Sequence, residues 1–313
     1  MSSDVCIPQE PRKIAGGSGK GIYWIEECVE AGAMAEYLTR HPEGQEYAEG
    51  WYEEGKGLHL SINAYLLIGE DKSLLFDTLS PASREHIVDT VEELLDGDDL
   101  DYVVVSHDEA PHAGNTFALV DRFPEATFIG ANAGSPVDEL HHYEAARRVD
   151  FGETIDLGGY EAEFVEPVFS DSPATLWLLE RDTRFMCTVD SFGFPHYPSD
   201  CVKFEDEMET DMNAFQMMQY NGRSIQWLEF ADPEKVRDQL QYHIDHYEPE
   251  ILAPAHGQLL RGDLQKYAEF GYEAAKHLSE NRALLPLFLT VKQLEEMDAE
   301  DAEDTSTDPA AGD

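Results

Sequence analysis

Residues 102–115 read Tyr-Val-Val-Val-Ser-His-Asp-Glu-Ala-Pro-His-Ala-Gly-Asn, a run that brings His107, Glu109 and His112 within six residues of one another. Two imidazoles and a carboxylate so close in sequence suit a borderline or hard transition metal. Imidazole favours Zn, Fe or Ni, and the carboxylate shifts the preference towards Fe or Mn. This is not the helical His-Glu-x-x-His pattern of metalloproteases, because Glu109 stands two residues after His107 and Pro111 would interrupt a helix. Polar loop residues following a core strand are the alternative reading of the same stretch.

The elements around these residues say where they would stand. The β-branched run 102–105 predicts a fully buried strand, whose last residue delivers the His/Glu group to a loop at the strand's carboxyl end, where α/β sheets place their chemistry. Two further polar residues recur at such ends: Asp190 follows the apolar run 185–189, and His256 follows 251–255 and precedes Gly257. Each alone reads as a cap or turn residue. Together they could converge on one metal site.

Further strands are predicted at 21–25, 58–68, 73–76, 127–129, 153–157, 161–165 and 174–179, with 58–68 and 73–76 forming a hairpin. Apolar spacing of helical period predicts helices at 81–97, 115–123, 135–148, 207–220, 233–247 and 263–282, with a further one reaching 297. Residues 1–20 read as a flexible N-terminus, 26–57 as irregular or short-helical cover, and 298–313 as a disordered acidic tail. The expected architecture is one α/β domain over 21–297, with two mixed sheets flanked by helices.

Composition narrows the function. Across 313 residues, 21 Lys and Arg face 65 Asp and Glu, a formal net charge of −44. Nucleic acid and anionic membranes would be repelled by such a chain. With 42% hydrophobic residues, 15 Phe and 14 Tyr, it is core-forming rather than a disordered polyanion. The charge fits the acidic surface of a halophilic protein in a high-salt cytoplasm. Four cysteines, Cys6, Cys28, Cys187 and Cys201, show no Cys-x-x-Cys spacing and read as reduced thiols. No apolar run is long enough to span a bilayer, and no signal region opens the chain.

Taken in order, Asn63-Ala-Tyr65-Leu-Leu-Ile, Leu75-Phe-Asp77-Thr, the 102–115 stretch, Asp190 with Phe192-Gly193, Phe204-Glu-Asp-Glu207, and Ala253-Pro-Ala-His-Gly257 with Arg261 resemble the metallo-β-lactamase fold. Within that fold they resemble the catalytic core of flavodiiron proteins, over about residues 55–261. Hydrolases of the fold carry His-x-His-x-Asp-His and flavodiiron cores carry His-x-Glu-x-Asp-His, and Glu109 matches the second pattern. The resemblance implies an αββα sandwich holding two metal ions, with Fe favoured and Zn or Mn as alternatives. It implies that His107 and Glu109 bind the first metal, that His112 and His256 bind the second, and that Asp190 bridges them.

Two positions depart from the family. The Asp before the second His of the motif is Pro111, which has no ligating side chain. A family His corresponds to Asp171, which could ligate through oxygen or be a surface loop residue. Asp108 could assist the second metal, Asp77 could orient a ligand His through a hydrogen bond, and His196 could line the pocket. Flavodiiron proteins carry an FMN-binding flavodoxin-like domain after the core. About 50 residues follow Arg261 here, without a phosphate-cradling Gly-rich loop, so no FMN site is expected in this chain. The implied function is a di-iron oxidoreductase or sensor for O2 or NO, served by a separate flavoprotein or other electron donor and pairing as a homodimer. The alternatives are a metal-dependent hydrolase, in which the metal lowers the pKa of bound water, and a degenerate, non-catalytic member of the fold.

Overall fold

A computed structural model of the chain describes residues 6–17, 21–30, 56–131 and 146–280. Period-two alternation sorts its strands into layers. Along β4 (His59–Ile68), Tyr65 and Leu67 join the inner core, whereas Ala64 and Leu66 join a second cluster on the opposite face. The neighbouring strands β5 (Ser73–Phe76), β6 (Tyr102–Val104) and β7 (Thr127–Ala131) repeat the division. Leu74, Phe76, Val104 and Ile129 face inward, and Leu75, Val103 and Phe128 face outward. The outer cluster is closed by Ile87, Val91 and Leu95 of helix α1 (Arg84–Leu95).

With β1 (Cys6–Pro8), β2 (Arg12–Ala15), β3 (Gly21–Glu30) and β8 (Ala146–Val149), these strands make an eight-stranded sheet of order β1-β3-β4-β5-β6-β7-β8, in which β2 also pairs with β3. Pairing is antiparallel from β1 to β5 and parallel from β5 to β8. The second sheet has β9 (Thr154–Asp156), β10 (Glu161–Val165), β11 (Trp177–Glu180), β12 (Phe185–Val189), β13 (Ile251–Pro254) and β14 (Leu260–Arg261), ordered β14-β13-β12-β11-β10-β9. The short helices α2 (Ala110–Ala113) and α3 (Thr116–Arg122) follow β6. Helices α4 (Ala214–Ser224), α5 (Pro233–Tyr247) and α6 (Leu264–Glu280) add Phe215, Val236, Leu240 and Tyr267 to the core of the second sheet. The result is the expected α/β arrangement, two mixed sheets with helices on their outer sides.

Several expected boundaries move, for identifiable reasons. The N-terminus expected to be flexible contains β1 and β2. Arg12 holds β2 down through a bidentate pair with Glu207 (2.6 and 2.9 Å) and a bond to the Val202 carbonyl. The Arg12 guanidinium holds Glu207 down to about 2. Arg12 and Arg261 also lie over the Phe204 ring, at 4.8 and 3.8 Å from its centroid. Strand β3 continues to Glu30, into the segment expected to be irregular. The helix expected from 207 starts at Ala214, because Asn213 caps it and exchanges hydrogen bonds with Gln216 in a capping box. The strand expected from 174 starts at Trp177. Of the helix expected at 135–148, residues 146–148 belong to β8, and the remainder lies outside the described residues. The acidic tail and the helix expected to reach 297 also lie outside them. No helix of the described residues is long and apolar enough to cross a membrane.

Candidate metal centre

Asp77 follows β5 in a left-handed conformation (φ 64°), and its two oxygens accept from the amide and hydroxyl of Ser106 at 2.8 and 2.9 Å. Ser106 and His107 directly continue the β6 run, so the neighbouring parallel strands β5 and β6 fix the start of the site together. Pro111 lies in the first turn of α2, where its missing N–H costs nothing, rather than breaking a helix. That turn brings His112 back beside His107, with ring centroids 3.9 Å apart. The amide and hydroxyl of Thr78 both donate to the His112 carbonyl at 2.8 Å and fix its backbone.

The second sheet supplies the other half. Val189 ends β12 at φ 54°, a strained value for a β-branched residue. It turns Asp190 into the site. Gly193 follows because an ideal Cβ there would stand 2.4 Å from the Tyr220 ring and 2.6 Å from the His256 carbonyl. His256 follows β13, whose end is pinned across the sandwich by β4. Asn63 donates to the Pro254 and Gly257 carbonyls (both 2.8 Å), and the Tyr65 hydroxyl donates to Pro254 (2.6 Å). The Gly193→Ala variant is expected to lose about 1–3 kcal/mol by overpacking, measured by denaturant unfolding.

These elements converge on one carboxylate. Asp190 Oδ2 lies 3.4 Å from both His107 Nε2 and His112 Nε2, and Asp190 Oδ1 lies 3.5 Å from His256 Nε2. Asp171 Oδ2 lies 3.2 Å from His107 Nε2, with Glu109 and Asp171 forming a second donor group around His107. Glu109 is solvent-exposed, and so is Asp108, whereas His107, His112, Asp190 and His256 are buried.

The residues fit a cation. His256 Nδ1 lies 2.8 Å from the Ser61 carbonyl, which can only accept, so Nδ1 carries the proton and Nε2 presents a lone pair to Asp190. His112 Nδ1 is 2.8 Å from Asp77 Oδ2, which favours the same tautomer. The buried atoms His107 Nε2, His112 Nε2 and Asp190 Oδ2 have no hydrogen-bond partner, although they point at one another. Convergent lone pairs in a buried site are costly unless a cation joins them.

Electrostatics agree. Burial opposes protonation of His107, but Asp171 and Asp190 outweigh it and push the imidazole up to about 9. Burial, with the charge of His107 next, holds His112 well below the usual histidine range. Burial raises Asp77 to about 7, and burial and then Asp171 raise Glu109. The surplus of carboxylates over positive charge is what metal ions would balance.

Two expected participants are placed elsewhere. Asp108 is exposed and belongs to neither donor group of this centre. His196 packs with Cys28, His59 and Cys201 rather than lining this centre, because its backbone pairs with His59 at the start of β4. The sequence reading missed Tyr220, whose hydroxyl donates to Asp190 Oδ1 at 2.9 Å from α4, and Ser61 and Ser106, which orient ring nitrogens. One tyrosine inside an amphipathic helix carries no signal of that role. Tyr220→Phe is expected to weaken metal binding about 10–100-fold, the scale of lost outer hydrogen bonds, as read by competitive metal titration.

Residues 58–198 match the family model described as the metallo-beta-lactamase superfamily. Among solved structures, a flavo di-iron protein variant from Thermotoga maritima superposes with a TM-score of 0.63 at 18% identity, covering 86% of this chain and 62% of that one. The chain therefore has the metallo-β-lactamase fold seen in flavodiiron cores. Among its relatives, a putative diflavin flavoprotein A 3 from Nostoc sp. is 32% identical over 172 residues, 53% of this chain and 30% of that protein. The anaerobic nitric oxide reductase flavorubredoxin of Salmonella arizonae is 26% identical over 226 residues, 71% of this chain and 46% of its own length. The chain thus spans less than half the length of either relative.

Proposed function

We propose that this chain is a non-haem di-iron protein that handles O2 or NO, as an oxidoreductase or an oxygen sensor, with electrons delivered by a flavoprotein or another electron donor. The observation that carries the reading is the convergence of His107, His112 and His256 on the single carboxylate of Asp190, with Asp171 and Glu109 beside His107. In this reading His107, Glu109 and Asp171 would hold one metal, His112 and His256 would hold the other, and Asp190 would serve both. A bridging carboxylate offsets the repulsion of adjacent cations, and imidazole with carboxylate suits iron. Bound iron would supply the electrons that O2 or NO takes up.

The chain's own residues do the remaining work. Asp77 and the Ser61 carbonyl hold protons on His112 Nδ1 and His256 Nδ1, leaving Nε2 free to ligate. Tyr220 fixes one oxygen of Asp190. Exposed Glu109 marks the side open to solvent. Pro111 gives the His112 side no carboxylate of its own, so the second metal is expected to be the weaker. A related flavorubredoxin is named as a nitric oxide reductase, which supports NO as one substrate. Glu109 stands where hydrolases of the fold carry His, and this weighs against hydrolysis. The test is anaerobic mixing of the iron-loaded, reduced protein with NO or O2 under optical detection. A prompt spectral change is expected with at least one gas, and no change with either would sink the reading.

We also propose that the −44 charge adapts the chain to a salt-rich cytoplasm. Exposed carboxylates repel across distances that salt screens. The melting temperature should therefore rise steadily as KCl is raised from dilute buffer, and a flat profile would contradict the adaptation.

A further inference from the structure

We propose that Cys28, His59, His196 and Cys201 form a second metal site, a buried Cys2His2 centre that takes zinc and ties the first sheet to the connection after β12. One ligand atom from each of the four lies within 4.8 Å of the others. Cys28, His59 and His196 are buried, and Cys201 is partly so. They come from four places in the fold: the C-terminal part of β3, the first residue of β4, the connection after β12, and the residue after the turn Pro198–Asp200.

The backbone positions them in advance. His59 and His196 exchange hydrogen bonds, N–H to carbonyl, at 2.8 and 3.0 Å, an isolated antiparallel bridge between the two segments. Their rings stand edge to face, with centroids 6.1 Å apart and planes at 85°. Cys28 pairs with Ser61 in the β3–β4 ladder, so its side chain shares the inward face of β4 with His59.

The distances suit tetrahedral coordination. With Zn–S near 2.3 Å and Zn–N near 2.05 Å, a tetrahedron needs about 3.5 Å between sulfur and nitrogen. The sulfur–nitrogen separations are 3.2 Å (His59 Nδ1 to Cys201), 3.5 Å (His196 Nε2 to Cys201) and 3.8 Å (His196 Nε2 to Cys28). The two sulfurs are 2.9 Å apart and both cysteines are free thiols, so a cation would spread them by roughly 0.9 Å towards the tetrahedral edge. A simple thiol pair gives no reason for two imidazoles to aim ring nitrogens at Cys201, one of them at Cys28 as well.

Chemistry chooses the metal. Two thiolates and two neutral imidazoles cancel a divalent charge, which makes the complex neutral and its burial affordable in energy. The soft sulfur donors select zinc over the hard cations that the carboxylate-rich centre would take. Gln258 Nε2 lies 3.2 Å from His196 Nε2 and donates to Glu26 Oε1 at 2.8 Å; bound zinc would take the Nε2 lone pair in place of the amide, which keeps Glu26 as its acceptor. Because Cys28 and His59 are far in sequence from His196 and Cys201, the bound metal would close long loops and act as a clip between the first sheet and the connection after β12.

The test uses the full chain, purified in high salt without chelators. Zinc-edge X-ray absorption should show sulfur in the zinc shell near 2.3 Å. Cobalt(II) loading should give a sulfur-to-cobalt charge-transfer band, which the Asp190 centre cannot produce because it contains no sulfur. Cys28→Ser and Cys201→Ser should each diminish that band, and the double variant should abolish it while iron binding at the Asp190 centre persists. Both spectra are read first on the unaltered protein, so a variant that fails to fold does not decide the outcome. Two results would overturn the site: a zinc shell with nitrogen and oxygen only, or a Cys28–Cys201 disulfide, seen as a mass two hydrogens lighter, in freshly purified protein.

Discussion

Asp190→Ala is expected to empty the first metal centre. Its carboxylate is the one group within 3.5 Å of Nε2 on all three histidines, and it is 3% exposed, so water cannot substitute for it freely. Removing it leaves three imidazoles without a common partner and Tyr220 without its acceptor. The loss in metal affinity should exceed the roughly 10–100-fold that removal of an outer partner costs, because the proposed shared ligand would serve both ions. Elemental analysis after dialysis should find little iron, while circular dichroism retains the fold. Iron content equal to that of the unaltered protein would show that Asp190 is not a ligand.

The second large effect concerns the packing behind the turn that follows Asp190. Trp177 is 1% exposed in β11, with its ring 6.3 Å from Phe192 and 5.6 Å from His243 of α5. Phe192 is itself left-handed (φ 64°) two residues beyond Asp190, and the strained turn persists only because its surroundings hold it. Trp177→Ala should therefore cost about 3–5 kcal/mol of stability, a large share of the 5–15 kcal/mol of an ordinary domain. Denaturant unfolding with and without bound metal checks it. A shift below about 1 kcal/mol would mean that the ring does not support the turn.

Much of this was legible in the sequence, because the chemistry sits at the ends of apolar runs whose period is easy to read. The strands at 161–165 and 185–189 and the helix at 233–247 are found with the same bounds in the structure. Asp190 and His256 stood out because each ends such a run. The helix start at Ala214 was also written in the chain, as Asn213 with Gln216 three residues later, but the acidic turn Glu205–Glu207 before it resembled a helical first turn. The N-terminal strands were hidden by a Pro- and Gly-containing segment whose anchor, Arg12 on Glu207, spans 195 residues.

The cysteine–histidine cluster had no local signature at all. Cys28 and His59 meet only because β3 and β4 pair, and His196 joins them only because its backbone bridges to His59. Tertiary pairing, not spacing, makes that constellation. Tyr220 is the same case on a smaller scale, since only the packing of α4 against the Asp190 turn shows what its hydroxyl does.

The most direct measurement is Mössbauer spectroscopy, with metal analysis, on protein reconstituted with iron in high salt. About two irons per chain are expected, magnetically coupled through a shared carboxylate, with the coupling lost in Asp190→Ala. Uncoupled single iron, or a centre that accepts zinc and refuses iron, would contradict this expectation.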